Sequence, residues 1–306
     1  MRKVLGWLLL FLGGFLLVVA VLGWTWLPDA AKRTPLNVDT YTYLTGEADK
    51  LNPATGEVEN VPVAYQSHTV VDPDKSDDDV VAFVNTKCIN IDENDPPDCL
   101  EGDDPRLIQN SIDTFATDRH TAMAVDDAKY LAADAVPHEG LVNKWPFDAE
   151  KKTYPYWDGT LGYAVDAVYQ GTQDIDGLET YEYAVDVPET EAEILEGTQG
   201  TYAHTENLWV DPVTGSIIKQ EGTQTLKLPS GDLVLDIAVV YTDETVQTNV
   251  DDAKASISQL NLLTKVVPWV ALVAGLLSLG GGFLLLRRRN EPGAPAQEEA
   301  PTGAAV

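Results

Sequence analysis

Two long apolar runs, one near each end, constrain this chain more than any other feature. Val4 to Leu27 is almost unbroken in aliphatic and aromatic residues and follows Arg2 and Lys3, while Val266 to Leu286 precedes Arg287, Arg288 and Arg289. At about 1.5 Å rise per residue, each run crosses the roughly 30 Å hydrocarbon core of a bilayer, where only a helix satisfies its own backbone. The first run exceeds the apolar region of a cleaved leader, and "WTWLPDAAKR" lacks a small-x-small cleavage site, so a retained anchor is expected. Basic residues mark the cytoplasmic side. They flank both runs on the terminal side, which places both termini in the cytoplasm and the middle of the chain outside.

The expected organisation is an anchor over 1–27, an extracytoplasmic domain over 28–265, a second span with a basic stop over 266–289, and a tail over 290–306. The tail has almost no bulky apolar residue and reads as disordered. Small residues let helix backbones approach closely in lipid. Ala274, Ser278 and Gly282 recur four apart, and Gly13 and Gly14 lie at similar depth in an antiparallel partner, so these positions are expected to pack the spans together. Neither span carries a charge, and neither reads as an ion path.

Charge narrows the partners of the middle segment. It has 15 basic against 46 acidic residues, a net charge of −31. Phosphate binding needs the opposite sign, so nucleic acid is excluded as a partner. The two cysteines, Cys88 and Cys99, enclose an acidic loop and are expected to form one disulfide in an oxidising compartment. "DPDKSDDD" and "DENDPPDCLEGDD" have oxygen ligands enough for at most a weak structural Ca²⁺, since neither has the spacing of an EF-hand loop. No other metal or cofactor is expected.

Strand signals dominate this segment. β-branched and aromatic residues, several in period-two alternation, predict strands over 58–71, 79–91, 117–125, 161–173, 178–187, 201–210 and 233–248. "DIDGLE" and "LPSGDL" read as hairpin loops, as do "LNPATGEV" and "VDPVTGSI", where Asn or Asp caps the turn and Gly restarts the strand. The tripeptide GTQ at Gly171, Gly197 and Gly222 suggests a worn repeat. Short helices are expected over 187–198 and 104–118, and a longer one over 250–265 that runs into the second span. The fold class is a mainly β domain with a few short helices, flanked by two transmembrane helices.

Catalytic signatures are scarce. The four histidines, His68, His120, His138 and His204, form no HExxH pattern, and there is no CxxC pair, GxSxG elbow or phosphate-binding glycine loop. His68 and His204 read as ordinary strand residues. Most unusual is "KWPFDAEKKTYPYWD", which gathers Trp145, Phe147, Tyr154, Tyr156 and Trp157. Such residues either close a core or form an aromatic platform for a sugar or acyl chain.

That segment, in its longer form "HEGLVNKWPFDAEKKTYPYWDGTL", together with "DRHT", "LWVDPVTGSI" and the layout of anchor, outer domain, anchor and basic flank, resembles the porin-A family of actinobacteria. The resemblance covers nearly the whole chain and stops at the tail. It implies a cell-envelope protein and supplies no catalytic residues. Two wholly apolar spans cannot line a pore in a single chain, and the acidic strands cannot face lipid. The leading expectation is therefore a membrane-tethered, non-catalytic domain that binds an envelope lipid or glycan, or a membrane protein partner. An oligomeric channel and a cryptic hydrolase with two carboxylates of unlike environment are the alternatives. An apolar tunnel would speak for lipid.

Overall fold

The computed structural model describes residues 2–94, 99–100, 102–133, 135–195 and 197–287. The tail over 290–306, Arg288 and Arg289, and the centre of the disulfide loop lie outside these residues. The chain forms two compact units: residues up to Ala31 together with those from Leu260 onward, and Lys32–Gln259.

The first unit is a pair of antiparallel helices, α1 (Arg2–Thr25) and α4 (Val267–Arg287), with the short helix α2 (Leu27–Ala31) following α1. Both belong to helices long and apolar enough to cross a membrane. Their contact runs through glycines, because backbones this close leave no room for a side chain. A Cβ on Gly13 would lie 2.9 Å from the Gly275 carbonyl oxygen and 2.6 Å from Leu279, and one on Gly282 would lie 2.9 Å from the Gly6 carbonyl oxygen. Trp24 meets Trp269 edge-on at 5.3 Å.

This corrects part of the expected interface. Gly14 points away, with nothing within 4 Å of its would-be Cβ, and Ala274 and Ser278 are half-buried, whereas Ala271, Gly275 and Gly282 are buried. A Gly13→Leu substitution should therefore separate the helices, and Gly14→Leu should not. Disulfide crosslinking between cysteines placed at Gly23 and Pro268 is expected to fall several-fold in the first variant and to persist in the second.

The second unit is one ten-stranded antiparallel sheet in the order β4-β3-β2-β1-β10-β9-β8-β7-β6-β5. Its strands are β1 (Asp39–Leu51), β2 (Val58–Asp72), β3 (Val80–Ile91), β4 (Leu107–Asp118), β5 (Tyr154–Asp158), β6 (Tyr163–Ile175), β7 (Leu178–Leu195), β8 (Thr198–Val210), β9 (Ile217–Lys227) and β10 (Leu233–Tyr241). The sheet curls until its edges approach each other. Between β4 and β5 the chain stitches the seam with isolated bridges that pair Thr117 with Ala124, Met123 with Leu141 and Leu141 with Tyr156. Covering edges in this way removes a row of unpaired backbone groups that would otherwise invite association.

All four expected loops join neighbouring strands. In "LNPATGEV" and "VDPVTGSI" the geometry repeats. Asn52 Oδ1 accepts from the Ala54 N–H at 2.9 Å and Asp211 Oδ1 from the Val213 N–H at 3.0 Å. Gly56 and Gly215 then take φ of 75° and 77°, which only glycine adopts without strain.

Four expectations fail. The strand expected over 233–248 stops at Tyr241. Residues 187–198 are mostly strand, with Pro188 placed at a register shift between Val187 and Thr190, where its missing N–H breaks no ladder bond. Residues 107–118 form β4 instead of a helix, because Phe115 alternates inward to meet Phe83 at 5.3 Å. The strand expected over 117–125 ends at Asp118, whose carboxylate accepts the N–H groups of His120 and Thr121 and turns the chain. The GTQ triplets are not equivalent: Gly171 sits at a bulge in β6, Gly197 in the turn between β7 and β8, and Gly222 inside β9.

The helix expected over 250–265 begins earlier. As α3 (Asp243–Asn261), it packs Val250, Ala253 and Ile257 on Leu178 and Ile218. It is pinned by Asn249, whose amide donates to the carbonyls of Ile217 and Ile218. A π turn over Leu262–Val266 follows, and helical structure then resumes in α4.

Cys88, on β3, is joined to Cys99 by a disulfide. A closed loop this short adds about 2–3 kcal/mol in the chain-entropy picture. Replacing both cysteines with serine should lower unfolding stability by about that amount, as read by denaturant titration.

Candidate functional site

The curl of the sheet encloses a cavity of about 560 Å³ lined by residues from all ten strands. Its wall mixes polar and apolar side chains. Alternation on β8 points Tyr202, His204 and Glu206 inward, and neighbouring strands add Tyr65, Asn85, Lys87, Asp113, Gln220 and Tyr241. The seam contributes His138, Trp157 and Asp158. Val185 lines the cavity and also belongs to the main core, which continues through Leu208 and Tyr183.

The carboxylates in this wall have unlike surroundings. Asp158 ends β5 and caps the following turn: Oδ1 accepts from the N–H groups of Thr160 and Leu161 at 2.9 Å each, and Oδ2 accepts from the Tyr202 hydroxyl at 2.8 Å. Burial works against its charge, but His204, whose Nδ1 stands 3.6 Å away, and these donors hold it below the usual carboxylate range. Asp113 lies 3.0 Å from His138 Nε2, while His138 Nδ1 reaches the Val136 carbonyl at 2.7 Å. Burial opposes the Asp113 charge as well, and His138 and Lys87 outweigh it.

Glu206 behaves in the opposite way. It is 6% exposed, and burial raises its pKa, helped by the negative charge of Asp158 and only partly opposed by His204 and Lys87. Gln220 donates a short hydrogen bond to one of its oxygens. For His204, burial favours the neutral ring, and the carboxylates of Asp158 and Glu206 reverse that effect, so its pKa is raised.

Raised values at Glu206 and His204 mean that the native state binds protons more tightly than the unfolded chain. The stability they contribute is present at low pH and lost as pH rises through their native values, from the carboxylate range through neutrality. Glu206→Gln keeps the amide contact and removes one ionisation. Its melting temperature should exceed that of the parent at pH 8, with a smaller gain at pH 5, as measured by circular dichroism.

Among the residues singled out in the sequence, the aromatic segment divides. Trp145, fully buried, stacks on Tyr156 at 5.4 Å and meets the tilted ring of Tyr183 at 5.0 Å, and Tyr154 is buried beside them. Phe147 lies outside the cavity under the Lys144 ammonium, 4.0 Å from its ring centre. Burial pulls that ammonium down to about 8, against the opposing charge of Asp211. Tyr156 and Trp157 line the cavity, and His138 packs on Trp157 at 4.4 Å.

Sequence reasoning passed over His204, Glu206 and Asp158. The available signal was Tyr202, His204 and Glu206 at period two on the same strand face as Leu208, which sets titratable groups where core residues belong. In the first acidic loop, Asp72 and Asp77 accept N–H groups of their own turns, and Asp77 also meets Lys129 and Tyr130. Among the described residues no three acidic, histidine or cysteine side chains converge as a metal ligand set. Asp158 and Glu206 have unlike environments, and both Asp158 oxygens accept hydrogen bonds from the Thr160 and Leu161 N–H groups and the Tyr202 hydroxyl.

Comparisons with known proteins agree with this layout. The family model for "Porin PorA" matches residues 5–284. A "Porin PorA" from Corynebacterium amycolatum is 27% identical over 226 residues, covering 61% of this chain. The chain spans 58% of the length of that relative. A match running from the first span to the second takes in both helices and every strand of the sheet, and the chain belongs to the Porin PorA family.

Proposed function

We propose that this chain is a porin-type envelope protein in which the two helices hold the acidic domain at the outer face of a membrane and the cavity in the curled sheet serves as a path for small polar solutes. The observation that carries this reading is the polar cavity of about 560 Å³, walled by all ten strands. The carboxylates, histidines and amides of a wall that also carries Ile89, Val165, Val185 and Ile237 give hydrated polar solutes the partners that an acyl chain would leave unpaired. The sheet is not itself a membrane barrel, because its outer face bears scattered apolar residues such as Val168 and Leu195 instead of a continuous band. Since neither span carries a charge, the membrane-crossing part of the path requires several copies of the chain.

The test is conductance of the purified full chain in planar bilayers. Discrete, ohmic current steps are expected. A silent bilayer, with the protein shown to be inserted, would falsify the channel reading. Tyr156 and Trp157 in the wall favour a second reading, retention of a solute without conduction. Silent bilayers together with a retained small molecule would support it.

A further inference from the structure

We propose that the cavity holds an ammonium-bearing solute, its cationic head set against the Glu206 carboxylate among the rings of Tyr65, Tyr156 and Tyr241. This rests on the solute-path reading and names the class of solute. The central observation is a buried carboxyl group with no contacting cation. Of the three carboxylates in the wall, Asp113 has His138 at 3.0 Å, and Asp158 has His204 at 3.6 Å.

Glu206 has only an amide, since Gln220 donates to one oxygen and no described residue donates a hydrogen bond to the other. Lys87 and His204 influence it through space without forming an ion pair with it. A buried carboxylate without a contacting cation is costly, and a ligand can supply the missing charge.

Tyrosine rings in the wall of the same cavity suit the same ligand. Tyr65, Tyr156 and Tyr241 line the cavity, and the charge of Glu206 acts on both Tyr156 and Tyr241. The negative faces of aromatic rings attract alkylammonium groups, most strongly where water is displaced. A neutral sugar would leave Glu206 uncompensated. An anion would meet three carboxylates and a single lysine.

The experiment is calorimetric titration of the full chain in detergent at pH 8 with tetramethylammonium and with tert-butanol, its neutral counterpart in size and shape. Tetramethylammonium is expected to bind at least tenfold more tightly than tert-butanol. Glu206→Gln is expected to weaken tetramethylammonium at least tenfold and to leave tert-butanol unchanged. Equal affinity for the two probes on the unmodified chain overturns the proposal without reliance on a variant, as does tetramethylammonium binding that survives the substitution. Conductance without ammonium preference removes this site and leaves the path reading standing. Ammonium preference without conductance does the reverse.

Discussion

Replacing Trp145 with alanine should cost about 3–5 kcal/mol, the usual range for emptying a core site of this size. The Trp145 ring is fully buried, faces Tyr156 and Tyr183 and meets Tyr154 edge-on, so truncation leaves three aromatic neighbours facing a void. Its indole Nε1 has no hydrogen-bond partner among the described residues, so Trp145→Phe removes area without orphaning an acceptor, and a much smaller loss is expected. Phe147→Ala, in the same stretch but only half-buried, should cost about 1 kcal/mol or less. For a domain of this size, the alanine variant should melt roughly 6–20 °C lower, which a thermal scan in detergent reads directly. A Trp145→Ala melt within 2 °C of the parent would contradict the packing described here.

Trp145 also shows how much of the fold was legible from residues alone. Two of the stretches that carry the family resemblance, around Trp145 and around Gly215, turn out to be packed on each other. The Trp145 N–H donates to the Gly215 carbonyl at 2.8 Å, and the Ala149 N–H donates to that of Pro212 at 2.8 Å. A Cβ on Gly215 would lie 2.0 Å from the Trp145 carbonyl oxygen. Their distinctiveness therefore reflects a structural clasp, and of the five aromatic residues in the first stretch only Tyr156 and Trp157 line the cavity. The twin loop around Gly56 has the same turn chemistry in open space, so a local pattern could not tell which of the two was buried.

The spans, most hairpins and the disulfide pair were readable because each depends on local chemistry: apolar length, turn residues and the spacing of two thiols. Strand β9 was not. Its inward residues, Gln220, Gly222 and Gln224, line the cavity, so the apolar alternation that announces a strand is missing. Strand β4 was mistaken for a helix for a related reason, since Ser111 and Asp113 occupy inward positions that an apolar core would have filled. The polar interior that makes the cavity interesting also erases the pattern by which strands are recognised. The site itself brings together residues from β2, β5, β8, β9 and β10, which are distant in the chain and meet only when the sheet curls.

Whether solutes pass through the interior of the sheet can be measured by blocking it. The described chain has no free cysteine, so a single introduced thiol reports on one position. Ser111 faces the cavity, and Thr205 is exposed on the outer surface. After reaction with a bulky water-soluble maleimide, Ser111→Cys channels in planar bilayers should lose most of their conductance, while Thr205→Cys channels keep theirs. Full current through modified Ser111→Cys channels, with the adduct verified by mass, would place the path elsewhere.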